Sequence, residues 1–238
     1  MNHLAHLALA DGSPDSILGN LLGDFAKGRP EGRFAPAVVR GIRLHRAVDG
    51  FTDAHPVVCR AIRRLPTRHR RFAGIAIDMA FDHFLAARWE NDAPEDFLRR
   101  RTHAYAVLTA RYSDLPPRLQ RILPSLRDDD WLGSYARFDG MAFALERMSR
   151  RLSRANPLAS LADDIGTNYD ALYADFDAFW PEVTAFALGE GRRLARHLPD
   201  TGACRTEHRR RVFAEGERAL VRYGRISDAS GTPRAFNR

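Results

Sequence analysis

An all-α fold is what this sequence predicts, and three observations carry that reading. Almost every segment repeats apolar residues at helical spacing. β-branched alternation bounded by tight turns is nearly absent. The connectors carry helix-breaking residues, among them Pro66, Pro94, Pro116-Pro117 and Pro157. Ser13-Pro14 opens the first helix, Ile17, Leu18, Leu21, Leu22 and Phe25 fill it, and Gly28 and Pro30 close it. A second helix runs from about Pro36 to Asp49 and stops before Gly50. A short one follows Pro56, and a long one covers about 67–90. Others fall near 94–112, 116–126, 138–154 and 167–198.

The chain has 238 residues, 45% hydrophobic and 28% charged. That balance suits one large folded domain and excludes a mainly disordered chain or a collagen-like fibre. No apolar run reaches the roughly 18 residues that would span a bilayer, so no membrane contact is expected. The first residues lack the basic stretch of a secretion signal. Cys59 and Cys204 share no motif spacing, which argues against a disulfide framework or a thiolate zinc site and fits a reducing cytoplasm.

The sequence divides into a helical domain over residues 1–190 and an arginine-rich extension over 191–238. The extension reads as a basic helix followed by a Gly/Ser/Pro tail. It is either a solvated surface or a contact for an acidic partner. Basic residues number 37 against 30 acidic, and Lys27 is the sole lysine, so 36 of the 37 are arginine. A net charge of +7 favours a negatively charged partner. No helix-turn-helix signature and no basic patch interleaved with aromatics is evident, so nucleic acid is not the expected one.

The informative residues are acids and imidazoles on apolar helix faces. Val38, Ile42, His45 and Asp49 share one face of the second helix. Ile75, Asp78, Asp82, Leu85 and Trp89 share a face of the long helix, with Phe72, Ala76, Met79 and His83 beside them. Ile17, Asn20 and Asp24 do the same on the first helix. A carboxylate on an inward face costs several kcal/mol unless paired or bound to a cation. Asp78 and Asp82, one turn apart, repel each other, so a positive group is expected between them. Arginine is one solution and a divalent metal another. Imidazole and carboxylate donors without thiolate suit Mn, Fe, Mg or Zn, with Mn or Fe favoured. The ligand candidates are Asp24, His45, Asp78, Asp82 and His83. Simpler roles stand beside them. His45 can be a hydrogen-bonded core residue, Asp49 can pair with Arg43 or Arg46, and Asp53 can cap the helix at Pro56. Asp24 can sit in a salt bridge, and His3 and His6 can simply pack.

Several blocks together resemble the acyl carrier protein phosphodiesterase family. They are Met1-Asn2-His3-Leu4-Ala5-His6-Leu7, Gly19 through Phe25, Gly41 through Asp49, Thr52-Asp53, and Asp78 through Leu85. The resemblance is dense to about residue 90 and extends thinly to about 190. The family is similar to the all-helical, metal-dependent HD phosphohydrolases, although Asp82-His83 reverses the usual His-Asp order. The resemblance implies removal of the 4′-phosphopantetheine arm from holo acyl carrier protein with a divalent metal, Mn²⁺ before Fe²⁺ or Mg²⁺. The residues expected to act on substrate are His6, Asp49 and Arg46. His6 or His45 would serve as general acid, and Arg46 would clamp the phosphate. The partner is then a small acidic protein, steered by the basic chain. The rival readings are an HD-type hydrolase of a nucleotide or other small phosphodiester, and a non-enzymatic basic binding module.

Overall fold

The computed structural model describes residues 1–198. Among the described residues there are eleven α-helices and no strand. They are α1 (His3–Leu9), α2 (Pro14–Leu22), α3 (Pro36–Ala54), α4 (Pro56–Arg64), α5 (Arg70–Asp92), α6 (Pro94–Ala110), α7 (Pro117–Asp128), α8 (Trp131–Ser134), α9 (Phe138–Arg151), α10 (Leu161–Thr167) and α11 (Tyr169–His197). Proline opens α2, α3, α4, α6 and α7. Its fixed φ suits the first helical position, where no backbone N–H is required.

Helix α5 runs through the middle of the core. Ala76, Ile77, Met79, Ala80, Phe81, Phe84 and Ala86 are all buried. Phe81 and Phe84 meet Phe176 of α11 at 5.6 and 5.9 Å between ring centroids. Helix α11 also lies along α3 and α4. Asp175, buried to 1%, accepts from Arg60 Nε at 2.8 Å and Arg64 Nε at 2.7 Å, which ties α11 to α4.

Helices α2 and α3 meet backbone to backbone. A methyl group at Gly19 would lie 2.3 Å from the Val38 carbonyl oxygen and 2.8 Å from Gly41 Cα. Only two glycines facing each other allow that approach. It brings the chain just after α2 against the middle of α3.

Several expected boundaries differ, each for a local reason. α2 ends at Leu22, well before Gly28, because Phe25 and Ala26 both donate to the Leu22 carbonyl in a closing turn. α3 passes through Gly50, which keeps helical backbone on an exposed face, and stops only at His55, held extended before Pro56. Asp53 is exposed and does not cap α4; His55 does, its ring accepting from Val57 N at 3.3 Å. Helices α1, α8 and α10, at seven, four and seven residues, are too short for helical periodicity to mark them. On α5 the inward stripe is narrower than predicted. Asp82 and Leu85 are buried, while Ile75 is 40% exposed. The boundary expected at residue 190 falls inside α11, and the rest of the extension, including Cys204 and the tail, lies outside the described residues.

Candidate functional site

Four segments converge at one end of α1: its own first turns, the turn after α2, the middle of α3 and the middle of α5. From α1 comes His6, buried, with Nε2 3.0 Å from Asp49 Oδ1. From α3 comes His45, also buried, with Nε2 3.0 Å from Asp49 Oδ2. The two imidazoles stack at 3.7 Å between centroids. Asp24, just past α2, places Oδ1 3.3 Å from His45 Nε2 and Oδ2 3.5 Å from His3 Nδ1. Gly23 makes the seat for His45, since a Cβ there would lie 2.1 Å from the ring.

Charge is distributed unevenly in this cluster. Burial drives His6 down to about 4, against a hydrogen bond to Asp49 that resists. Burial also works against charge on His45, but hydrogen bonds to Asp24 and Asp49 win and raise it to about 9. For Asp49 burial pulls upward, and the hydrogen bonds from His45 and His6 hold it well below the usual carboxylate range. Asp24 is lowered in the same way, chiefly by His45. The resting state is a neutral His6, a cationic His45 and two carboxylates.

Asp78 stands at the edge of the cluster. The Met1 ammonium lies 3.1 Å from Asp78 Oδ1 and 3.6 Å from Asp49 Oδ1. The positive group expected between the α5 acids is therefore the chain's own amine. It faces Asp78 and Asp49 rather than bridging Asp78 to Asp82.

Asp82 and His83 are engaged elsewhere. Asp82, fully buried, accepts from Leu4 N at 2.8 Å and Ala5 N at 3.2 Å. It caps the N-terminus of α1, where backbone N–H groups lack partners. Burial still pushes it up to about 7, against those two N–H groups. His83 donates from Nδ1 to the Tyr135 carbonyl at 2.8 Å, and its Nε2 meets the Tyr169 hydroxyl at 3.0 Å. Both ring nitrogens are taken, so His83 has no atom left for the cluster. Arg46, expected at the phosphate, donates to the Gly28 carbonyl at 2.9 Å and to that of Ala26. It braces the loop that follows Asp24. Arg43 pairs with Glu31, not Asp49.

His3, expected only to pack, belongs to the cluster. Its signal was the spacing His3–His6, one turn apart on what proves to be a helix.

The donor set fits a divalent ion. One atom each from His6, His45 and Asp49 lies within 4.8 Å of the others. The Nδ1 atoms of both buried imidazoles lack a partner, so neither ring is fixed by a second hydrogen bond. A family model described as acyl carrier protein phosphodiesterase matches residues 1–183. The chain belongs to the acyl carrier protein phosphodiesterase family. Relatives carrying that name include one from Photorhabdus laumondii, 40% identical over 182 residues, covering 76% of this chain and 90% of the relative. One from Yersinia enterocolitica is 37% identical over 191 residues, covering 79% and 97%. One from Escherichia coli is 38% identical over 190 residues, again covering 79% and 97%. No solved structure matches the chain significantly. The family match takes in every element that builds the cluster and ends within α11.

Proposed function

We propose that the chain hydrolyses the phosphodiester joining 4′-phosphopantetheine to the serine of holo acyl carrier protein, with a divalent metal held by His6, His45 and Asp49. The products are apo carrier protein and 4′-phosphopantetheine. The observation that carries this reading is the convergence of two imidazoles and a carboxylate, drawn from two sequence blocks that both lie within the family match. Two imidazoles with one carboxylate favour manganese or iron over magnesium, which prefers an all-oxygen shell.

The bound ion supplies Lewis-acid charge against the phosphate oxygens and makes a water more acidic. The chain does the rest. Asp49 holds the two Nε2 atoms, one on each of its oxygens. Asp24, 48% exposed, lies 3.3 Å from the same His45 Nε2 on the solvent side and can take a proton from the attacking water. His3, with 23% of its side chain exposed and Nδ1 beside Asp24, is pushed toward the neutral form by burial, so it can relay the proton that Asp24 takes from water to the departing serine oxygen. The P–O bond to serine breaks, and phosphate stays on the pantetheine arm.

Among the described residues no helix is long and apolar enough to cross a membrane. A direct test is to incubate the protein with holo acyl carrier protein and Mn²⁺ and weigh the carrier. Loss of one phosphopantetheine arm, abolished by EDTA and restored by Mn²⁺, is expected. An unchanged carrier mass would turn the reading toward a small phosphodiester substrate.

A further inference from the structure

Three arginines on α7 and α9 take no part in the cluster. Arg118 lies in the first turn of α7, and Arg147 and Arg151 lie one turn apart on α9. The Arg147 guanidinium sits over the Trp131 ring, 3.8 Å from its centroid, and that of Arg151 lies 5.4 Å from the same ring. None of the three pairs with a carboxylate among the described residues. Their neighbours do: Arg137 with Asp139, Arg150 with Glu146.

Gathering like charges without a counter-ion works against folding. Burial first, then repulsion from Arg147 and Arg118, lowers the Arg151 guanidinium from its ordinary value. Arg118 is also at the wrong end of its helix, since the N-terminal dipole repels a cation. Arg147 and Arg151 gain from the Trp131 face, and Arg151 from the last turn of α9, but none of the three has its charge neutralised by a carboxylate among the described residues. A guanidinium laid on an aromatic face keeps its N–H edge open for a carboxylate.

The patch is joined to the cluster through α5. Asp82 caps α1, and the next residue, His83, holds the Tyr135 carbonyl, one turn beyond Trp131. On the other side, the charge of Arg118 reaches His3 at the mouth of the cluster. A second basic stretch, Arg70 and Arg71, starts α5 two turns before Asp78, about 12 Å along the axis. Among the described residues it pairs with no carboxylate and has no aromatic platform.

We propose that Arg118, Arg147 and Arg151 form the docking face for the acidic surface of the carrier-protein substrate. The proposal rests on the function proposed above. Docked there, the carrier brings its serine phosphodiester to the side of the cluster that His3 and Asp24 leave open. Complementary charge acts mainly on encounter, so the patch governs KM more than kcat.

The test uses the full chain and apo acyl carrier protein, which lacks the arm and cannot react. Arg118 and Arg151 are exposed, so the double variant R118E/R151E should fold. At low salt it should bind apo carrier on the order of tenfold more weakly than wild type, and KM for holo carrier should rise to a similar extent. R70E/R71E should bind within about twofold of wild type. If wild type hydrolyses holo carrier while R118E/R151E binds apo carrier normally, the docking face is wrong and the function stands. Weakening confined to R70E/R71E overturns it too and moves the face to the start of α5. If wild type neither hydrolyses holo carrier nor binds apo carrier, the function fails and the docking face falls with it.

Discussion

The rings of His6 and His45 lie face to face, 21° apart in plane, while their Nε2 atoms take opposite oxygens of Asp49 at 3.0 Å each. Two stacked imidazoles in contact cannot both carry charge cheaply, and this pair divides the burden. His6 stays neutral to about 4, and His45 keeps its proton to about 9. A metal needs both in neutral form. Mn²⁺ binding near neutral pH should therefore release about one proton, from His45, and tighten as pH rises toward 9. Calorimetry in buffers of different ionisation enthalpy measures that proton. Binding with no proton release would place the ion elsewhere.

Replacing His6, His45 or Asp49 by Ala should abolish phosphopantetheine release and weaken Mn²⁺ binding by tenfold or more, roughly the scale of losing one ligand. His83→Ala should behave differently. It leaves the Tyr135 carbonyl without its donor, at a cost of about 1–3 kcal/mol in stability. The folded protein should still bind Mn²⁺. Mn²⁺ titration of both sets beside urea unfolding separates the two roles, and loss of metal affinity in folded His83→Ala would contradict the geometry.

Gly23 has ordinary helical backbone, with φ −50° and ψ −42°, so alanine is conformationally acceptable there. Its methyl would still fall on the His45 ring. Gly23→Ala should displace that imidazole and lower hydrolysis by at least about tenfold while stability drops by about 1–3 kcal/mol, the usual cost of overpacking. Unchanged turnover would mean that His45 is not needed where it sits.

How the sequence foreshadowed this site shows what helical periodicity can and cannot reveal. The inward placement of His45 and Asp82 followed from spacing alone. Their neighbours did not, because periodicity assigns a face but not what the face meets. Asp82 and His83 are consecutive, hence about 100° apart around the helix; one meets the amides of α1 and the other the Tyr135 carbonyl and the Tyr169 hydroxyl, so here they do not share one centre. Helix α1 has no local start signal in the sequence, because its N-terminal cap is Asp82, 77 and 78 positions along the chain from the amides it receives. Arg46 is held by the Gly28 and Ala26 carbonyls, backbone partners that side-chain spacing does not encode, and so is not the phosphate clamp expected.

The chain carries +7, and an acidic substrate should feel that field over about a Debye length. Raising salt from 50 to 500 mM should cut kcat/KM on holo carrier protein by about tenfold or more, through association. The same change should barely affect bis(p-nitrophenyl) phosphate. Parallel salt curves for the two substrates would remove electrostatic steering from the account.

Asp175 is buried to 1% between two partly exposed arginines, Arg60 and Arg64. Burial alone would raise its pKa, but the hydrogen bonds from Arg64 and Arg60 outweigh burial and hold it below the ordinary value. A lowered carboxyl stabilises the fold above the unfolded-state value, about 3.9, and that contribution fades as pH falls through the folded value. Asp175→Asn should cost about 1.5–3 kcal/mol at pH 7 and at pH 5. The gap to wild type should narrow at pH 3. Urea unfolding at the three pH values decides it, and a constant gap would assign the loss to packing instead of charge.

The family match ends at residue 183, but the helix it ends in does not. α11 continues to His197, Leu194 is buried to 2%, and Arg40 Nη1 donates to the Leu198 carbonyl at 2.7 Å. A chain cut after residue 190 loses the Leu194 anchor, worth about 1.5–3 kcal/mol, and the Arg40 contact with it. A chain cut after residue 198 keeps both. The longer product should match the full chain in thermal stability and in phosphopantetheine release, while the shorter one should melt several degrees lower. Loss of turnover in the longer product at unchanged stability would give residues 199–238 a direct part in catalysis, because every group of the His/Asp cluster would still be present.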